Sequence, residues 1–114
     1  MKKFLIPVLF LLLPLFGCSQ KPPEAMPVAV VMKKYTITPA EIHLQQGRPV
    51  RFEITTKDVQ HGFDVPDLGI KESVQPGKTT SFLFTPDKKG TFPIECGIIC
   101  GPGHDDMRGK VVVE

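Results

Sequence analysis

Short runs of apolar and polar residues, separated by turn-forming residues, fill the chain from residue 28 onward. Residues 50–55 alternate strictly between apolar and polar side chains, and residues 79–85 alternate again, with Phe82 and Phe84 on one face. A period of two is typical of strands that bury one face. The same reading predicts further strands at residues 28–37, 41–44, 63–66, 91–96 and 109–114.

The connections between these runs carry ordinary turn signals. Turn-forming residues separate the predicted strands at Gln46-Gly47, Pro76-Gly77-Lys78 and residues 86–90. No stretch after residue 28 shows the apolar period of a helix. About seven short strands in so few residues are typical of an all-β protein with two stacked sheets. We therefore predict a Greek-key two-sheet sandwich.

The first residues do not fit this domain. Two lysines precede an apolar run over residues 4–16, which is too short to span about 30 Å of hydrocarbon but suits a signal peptide. The run ends in LFGC, which resembles the lipobox of bacterial lipoproteins, a family in which the cysteine is lipidated and becomes the first mature residue. We predict a signal peptide over residues 1–17, a lipidated Cys18 with a tether over residues 18–27, and a domain over residues 28–114. An uncleaved anchor is the alternative.

Processing at Cys18 would change the charge balance. The full chain has 14 basic and 12 acidic residues; losing Lys2 and Lys3 leaves 12 of each, so the mature protein is near neutral. This balance argues against nucleic acid as a partner. The predicted signal peptide and lipidated cysteine would place the domain on the extracytoplasmic, periplasmic side of a bacterial membrane, held there by lipid.

The remaining cysteines need an explanation in an oxidising compartment. Cys96 and Cys100 must form a disulfide, bind a metal or be reactive. They open the segment CGIICGPGHDDM, which adds His104 and Met107. A c-type haem needs two residues between its cysteines, not three, zinc does not use methionine, and a disulfide leaves the other two side chains unexplained.

Copper would use all of these groups, because thiolate and thioether are soft ligands and imidazole also suits copper. A second imidazole, His61, follows the strand predicted at residues 50–55. A mononuclear blue-copper site would leave Cys96 without a role, whereas two copper ions that share both sulfurs would employ every ligand. Both sites remain open at this point.

Two segments resemble the binuclear copper (CuA) domain of cytochrome c oxidase subunit II. CGIICGPGHDDM is similar to its Cys-x3-Cys-x3-His-x2-Met loop, DVQHGFDVPDLGIKESVQPGK is similar to its upstream ligand segment, and the likeness spans residues 50–114. The resemblance implies a cupredoxin fold and two copper ions. The ligands that it implies are bridging thiolates from Cys96 and Cys100, imidazoles from His61 and His104, and axial groups from Met107 and the Ile98 carbonyl.

The resemblance also implies a function. The protein would relay single electrons in a respiratory chain, without catalysis of its own, as the electron-entry part of an oxidase-type complex. A cytochrome c would be the donor and an oxidase or reductase the acceptor. Four acidic residues near the predicted ligands favour a basic donor: Asp64, Asp67, Asp105 and Asp106. Copper delivery or buffering through the same ligands is the alternative function.

Three departures from that family are visible in the sequence. Ile98 stands where the oxidase subunit typically has a glutamate that helps to bind magnesium at its contact with the catalytic subunit. The chain has no tryptophan, although the family uses an exposed aromatic residue near copper for electron entry; Phe63 is the candidate here. The paired transmembrane helices of the subunit have no counterpart in this sequence. These departures weigh against an ordinary oxidase subunit.

Overall fold

The computed structural model describes residues 24–114 and, before them, only residues 2, 3, 14 and 17. Cys18 and most of the predicted signal peptide lie outside the described residues, so lipidation at Cys18 stays a prediction. Within the described part of the chain, no helix is long and apolar enough to cross a membrane.

The described chain folds into nine strands and two short 3-10 helices. One sheet has the order β2-β1-β4-β7 and the other the order β3-β9-β8-β5-β6. The strands are β1 (Met26–Lys33), β2 (Thr36–Thr38), β3 (Glu41–Leu44), β4 (Val50–Thr56), β5 (His61–Val65), β6 (Ile70–Val74), β7 (Thr80–Phe84), β8 (Gly90–Glu95) and β9 (Arg108–Val113). The 3-10 helices are η1 (Pro66–Leu68) and η2 (His104–Asp106).

The core lies between the two sheets and is built from the apolar positions of the alternating strands. Phe52 of β4 and Phe63 of β5 meet across the gap, with ring centroids 5.6 Å apart, and Phe82 of β7 stacks on Phe52 at 5.1 Å. Both Phe52 and Phe63 are fully buried. Aromatic rings bury the largest apolar areas, so this group anchors one sheet on the other.

The prediction of an all-β two-sheet sandwich is confirmed. The single strand predicted over residues 28–37 is wrong, because the chain turns at Lys34 and Tyr35 and divides this region into β1 and β2. The strand β6 was not predicted. Its sequence IKESV buries only its first and last residues, so it has no alternating pattern.

The strand directions bring several connections to one end of the sandwich. β1 and β4 run parallel, with Met32 opposite Thr56, so the β1–β2 turn and the β4–β5 loop lie side by side. The loop between β8 and β9 lies at this same end, because Asp64 of β5 pairs with Glu95, the last residue of β8. The segment before Met26 enters at the opposite end.

Candidate metal centre

The structure places all six predicted ligands at this end of the sandwich. His61 is the first residue of β5 rather than part of a loop, and it is fully buried. The other five residues lie in the segment between β8 and β9, which we call the ligand loop (residues 96–107). This loop is held by antiparallel pairing of β8 with β9 from Gly90 opposite Val113 to Glu95 opposite Arg108. Two rigid strands therefore hold both ends of the loop.

The two thiols face each other. The Sγ atoms of Cys96 and Cys100 are 3.7 Å apart, and no disulfide joins them. Burial raises the pKa of the Cys100 thiol to about 11, and the hydrogen bond between the two thiols and the charge of Cys96 add to this effect. A metal cation would replace the thiol protons, because only the thiolate is a good ligand.

Each thiol has one imidazole beside it. The Nδ1 atom of His61 lies 3.9 Å from Cys96 Sγ, and the Nδ1 atom of His104 lies 3.8 Å from Cys100 Sγ. Imidazole and thiolate ligands at about 2.0 and 2.3 Å from one ion in tetrahedral geometry are about 3.5 Å apart. The observed spacings are therefore close to those of two ligands that share a metal.

A weaker donor completes each half. The carbonyl oxygen of Ile98 is 3.0 Å from Cys96 Sγ, and the Met107 thioether sulfur is 3.9 Å from Cys100 Sγ. Met107 is almost fully buried. The six donors thus fall into two similar sets, each with one thiol, one imidazole and one weak group. Ligand atoms of His61, Cys96 and Cys100 all lie within 4.8 Å of one another, and this soft donor cluster fits copper.

Asp58 holds the imidazole of His61 in place. Its Oδ1 atom accepts a hydrogen bond from His61 Nε2 at 2.8 Å, and its Oδ2 atom accepts one from the Lys34 backbone N–H at 2.7 Å. With the proton on Nε2, the Nδ1 lone pair faces Cys96. Desolvation by itself would raise the pKa of Asp58, but hydrogen bonds from Lys34, His61 and Val59 hold it well below its ordinary value. Asp58 therefore remains a carboxylate that fixes the tautomer and ring orientation of His61.

We expect Asp58→Asn to weaken copper binding about 10- to 100-fold, because an amide can no longer hold the ring as a charged acceptor. Competition with a Cu(I) chelator measures this change. Asp87→Asn makes the same chemical change in the exposed β7–β8 turn and should leave the affinity unaltered. Equal affinities for the two variants would show that Asp58 does not position His61.

Close packing joins β5 to the ligand loop. The backbone N–H of Gly62 donates a hydrogen bond to Cys96 Sγ at 3.5 Å. A Cβ on Gly62 would lie 2.7 Å from the nitrogen of Gly97, and a Cβ on Gly97 would overlap the Asp64 carboxylate. Glycine at both positions is what allows the loop to reach His61.

Tyr35, which the sequence analysis did not single out, supports the other side of the loop. A Cβ on Gly101 or on Gly103 would overlap the Tyr35 side chain, so this ring packs against the backbone between Cys100 and His104. The features in the sequence that could have pointed to this contact are the chain's single tyrosine and the glycines of the ligand motif. Nothing in these features connects the distant segments.

The positions of other residues considered in the sequence analysis can also be compared with the structure. Phe63 is fully buried, so its proposed role as the exposed aromatic residue near copper is wrong: it faces the core because it alternates with Gly62 and Asp64 on β5. His43 is exposed and pairs with Glu41 at 2.9 Å, far from the ligands. Of the four acidic residues, Asp105 and Asp106 lie in the ligand loop.

The other two acidic residues lie outside the ligand loop, Asp64 in β5 and Asp67 in η1. Asp64 pairs across strands with Lys71, and Asp67 lies in η1 beyond the far end of β5. Burial raises the pKa of Asp64, Lys71 opposes this effect, and Glu95 adds to it. The Asp64 carboxylate nevertheless lies against Gly97 of the ligand loop, so of the four acidic residues only Asp67 lies away from that loop.

Comparison with known proteins agrees with this architecture. Residues 6–113 match the family model described as "Cupredoxin-like domain". The chain belongs to the cupredoxin-like domain family. Within that family it is 35% identical over 95 residues to cytochrome c oxidase subunit 2 of Thermus thermophilus, an alignment that covers 83% of this chain and 70% of the relative.

Two further comparisons extend this relationship. The cupredoxin is 40% identical over 74 residues to the alternative cytochrome c oxidase subunit 2 of Bradyrhizobium diazoefficiens, covering 65% of this chain but only 27% of the relative. Its fold also matches the crystal structure of the periplasmic domain of cytochrome oxidase subunit II from Bradyrhizobium japonicum. That match has a TM-score of 0.72 at 21% identity and covers 81% of this chain and 86% of that one. The chain is thus homologous to oxidase subunit II.

Proposed function

We propose that this cupredoxin binds two copper ions in a CuA-type centre and relays single electrons. The observation that carries the proposal is the pairing of donors: two thiols 3.7 Å apart, each with its own imidazole at 3.8 or 3.9 Å. A site for one ion would need only one such set. The ligands would be His61, Cys96, the Ile98 carbonyl, Cys100, His104 and Met107.

The bound pair would supply reversible one-electron transfer. The protein's own contribution is to keep the ligands still, since an electron carrier works best when its geometry changes little between redox states. Asp58 fixes His61, the β8–β9 pairing fixes both ends of the ligand loop, and Tyr35 packs beneath its middle. Burial of His61, Cys96 and Met107 excludes water from this side of the site.

The cellular setting belongs to the same proposal. Homology to oxidase subunit II supports a domain on the extracytoplasmic, periplasmic side of a bacterial membrane. The proposed lipid anchor at Cys18 rests on the LFGC sequence alone. A cytochrome c would donate electrons, and an oxidase or reductase would accept them. The protein would not catalyse a reaction by itself. Ile98 offers no carboxylate for a magnesium ion, which argues for a relay that is separate from an ordinary oxidase subunit.

Copper stoichiometry and spectroscopy test the proposal. We expect two coppers per chain, a purple colour, and a paramagnetic signal whose hyperfine pattern requires one electron shared equally by two copper nuclei. An intense blue protein with one copper would instead support a mononuclear carrier. Colourless Cu(I) that exchanges readily with a chelator would support copper delivery or buffering.

A further inference from the structure

A cluster of three lysines lies beside the metal centre. We propose that Lys33, Lys34 and Lys57, which we call the basic flank, form a docking surface for an acidic patch on a protein partner. The proposal adds a partner class that the acidic residues of the ligand loop do not suggest. It rests on the proposed function for its purpose, which is to bring a redox partner to the centre, and on the proposed tether for the choice of a protein over a lipid surface.

Backbone contacts bring the three lysines together. Lys33 ends β1, Lys34 lies in the following turn, and Lys57 follows β4, where its N–H donates to the Met32 carbonyl at 3.0 Å. All three side chains are exposed. Among residues 24–114, no carboxylate lies within 4.0 Å of any of these three ammonium groups. The neighbouring Asp58 remains a carboxylate that accepts hydrogen bonds from His61 and the Lys34 backbone N–H. It offsets one of the three positive charges, so the flank keeps a net positive charge.

The basic flank is physically connected to the ligands. The Lys34 N–H donates to Asp58, and Asp58 in turn accepts the His61 hydrogen bond. The next residue, Tyr35, is half-buried, and its ring packs against Gly101 and Gly103 of the ligand loop. Protein interfaces commonly surround an aromatic contact with a charged rim. A partner held by the lysines would therefore lie one side chain away from the loop that carries Cys100 and His104.

The position favours a protein over a lipid surface. β1 has eight residues, which span about 26 Å, and the segment that precedes Met26 joins at the end away from the lysines. A tether at that end directs the basic flank away from its attachment point. Asp105 and Asp106 form an exposed acidic flank on the ligand loop itself. A relay needs a donor and an acceptor, and two flanks of opposite charge suit two partners of opposite charge.

Titration of the full chain, kept reduced, with poly-L-glutamate tests the proposal without requiring copper. We expect backbone amide NMR shifts to concentrate at residues 33–35 and 56–58 and to disappear at high salt, which screens exposed charges. In Lys33→Glu/Lys57→Glu, we expect binding at low salt to weaken about tenfold. The control variant Lys88→Glu/Lys89→Glu makes the same change in net charge in the β7–β8 turn, at the opposite end of the sandwich. It should weaken poly-L-glutamate binding less than twofold.

Three results would overturn the proposal. The first is a set of shifts that centres on residues 88 and 89. The second is a Lys33→Glu/Lys57→Glu variant that binds poly-L-glutamate as tightly as the parent chain. The third result is that the protein binds phosphatidylcholine vesicles containing phosphatidylglycerol through these lysines but does not bind poly-L-glutamate. That result would assign the surface to lipid. Because none of these measurements depends on copper content, failure here is distinct from failure to find two coppers.

Discussion

Replacing Cys96 by serine abolishes the purple species expected of the copper-loaded protein. The Cys96 sulfur lies 3.7 Å from Cys100 Sγ, 3.9 Å from His61 Nδ1 and 3.0 Å from the Ile98 carbonyl, so it is the atom that joins the two halves of the donor set. A serine hydroxyl is a hard, protonated group that does not bridge two soft ions. We expect at most one copper per chain, measured by elemental analysis together with visible absorption.

The matched control is Cys18→Ser. It removes the cysteine that is predicted to carry the lipid, which the proposed centre does not use, and the purple absorption should therefore persist. A Cys96→Ser protein that keeps two coppers and an unchanged spectrum would eliminate shared thiolates. A blue product with one copper would show that Cys100, His61, His104 and Met107 suffice for a mononuclear site once the bridge is removed.

Most of the proposed ligands could be picked out from the sequence because their chemistry is local. Four of the six proposed donors are side chains within twelve residues, and thiol, imidazole and thioether together exclude most alternatives. The fifth, the Ile98 carbonyl, was implied only by the resemblance to subunit II. His61 was the one distant ligand, and its position after an alternating strand made it visible. The strands with a buried face were equally readable, since β4 alternates without interruption.

The supporting residues were not predictable in the same way. Tyr35 acts through contacts with a segment that is far away in sequence, and no periodicity reports such contacts. Asp58 lies only three residues before His61, but the sequence does not show that the two side chains turn toward each other. The turn at Lys34 lacks the glycine, proline or asparagine that usually marks one, so β1 and β2 were read as a single strand. Phe63 was misassigned because an aromatic residue near a ligand looks the same whether it faces the core or the solvent.

The largest structural effect is expected from Gly62→Ala. Gly62 lies where β5 passes under the ligand loop, and a Cβ there would be 2.7 Å from the Gly97 nitrogen and 3.0 Å from the Ile98 nitrogen. Both neighbours are backbone atoms, so no side chain can rotate away. The loop must shift, which displaces Cys96 and the Ile98 carbonyl together and weakens the Gly62 N–H bond to sulfur. We expect a loss of about 2–3 kcal/mol in the free energy of unfolding, measured in urea, and loss of the two-copper spectrum.

Gly97→Ala provides the comparison that separates backbone crowding from side-chain crowding. Its added methyl group would collide with the Asp64 carboxylate, which a second substitution can remove. Gly97→Ala/Asp64→Ala should therefore recover most of the stability and copper binding that Gly97→Ala alone loses, with Asp64→Ala as the reference. No equivalent rescue exists for Gly62→Ala, because its obstacle is the loop itself. If Gly62→Ala unfolds at the same urea concentration as the parent chain and keeps its spectrum, then contact between β5 and the loop does not hold the ligands in place.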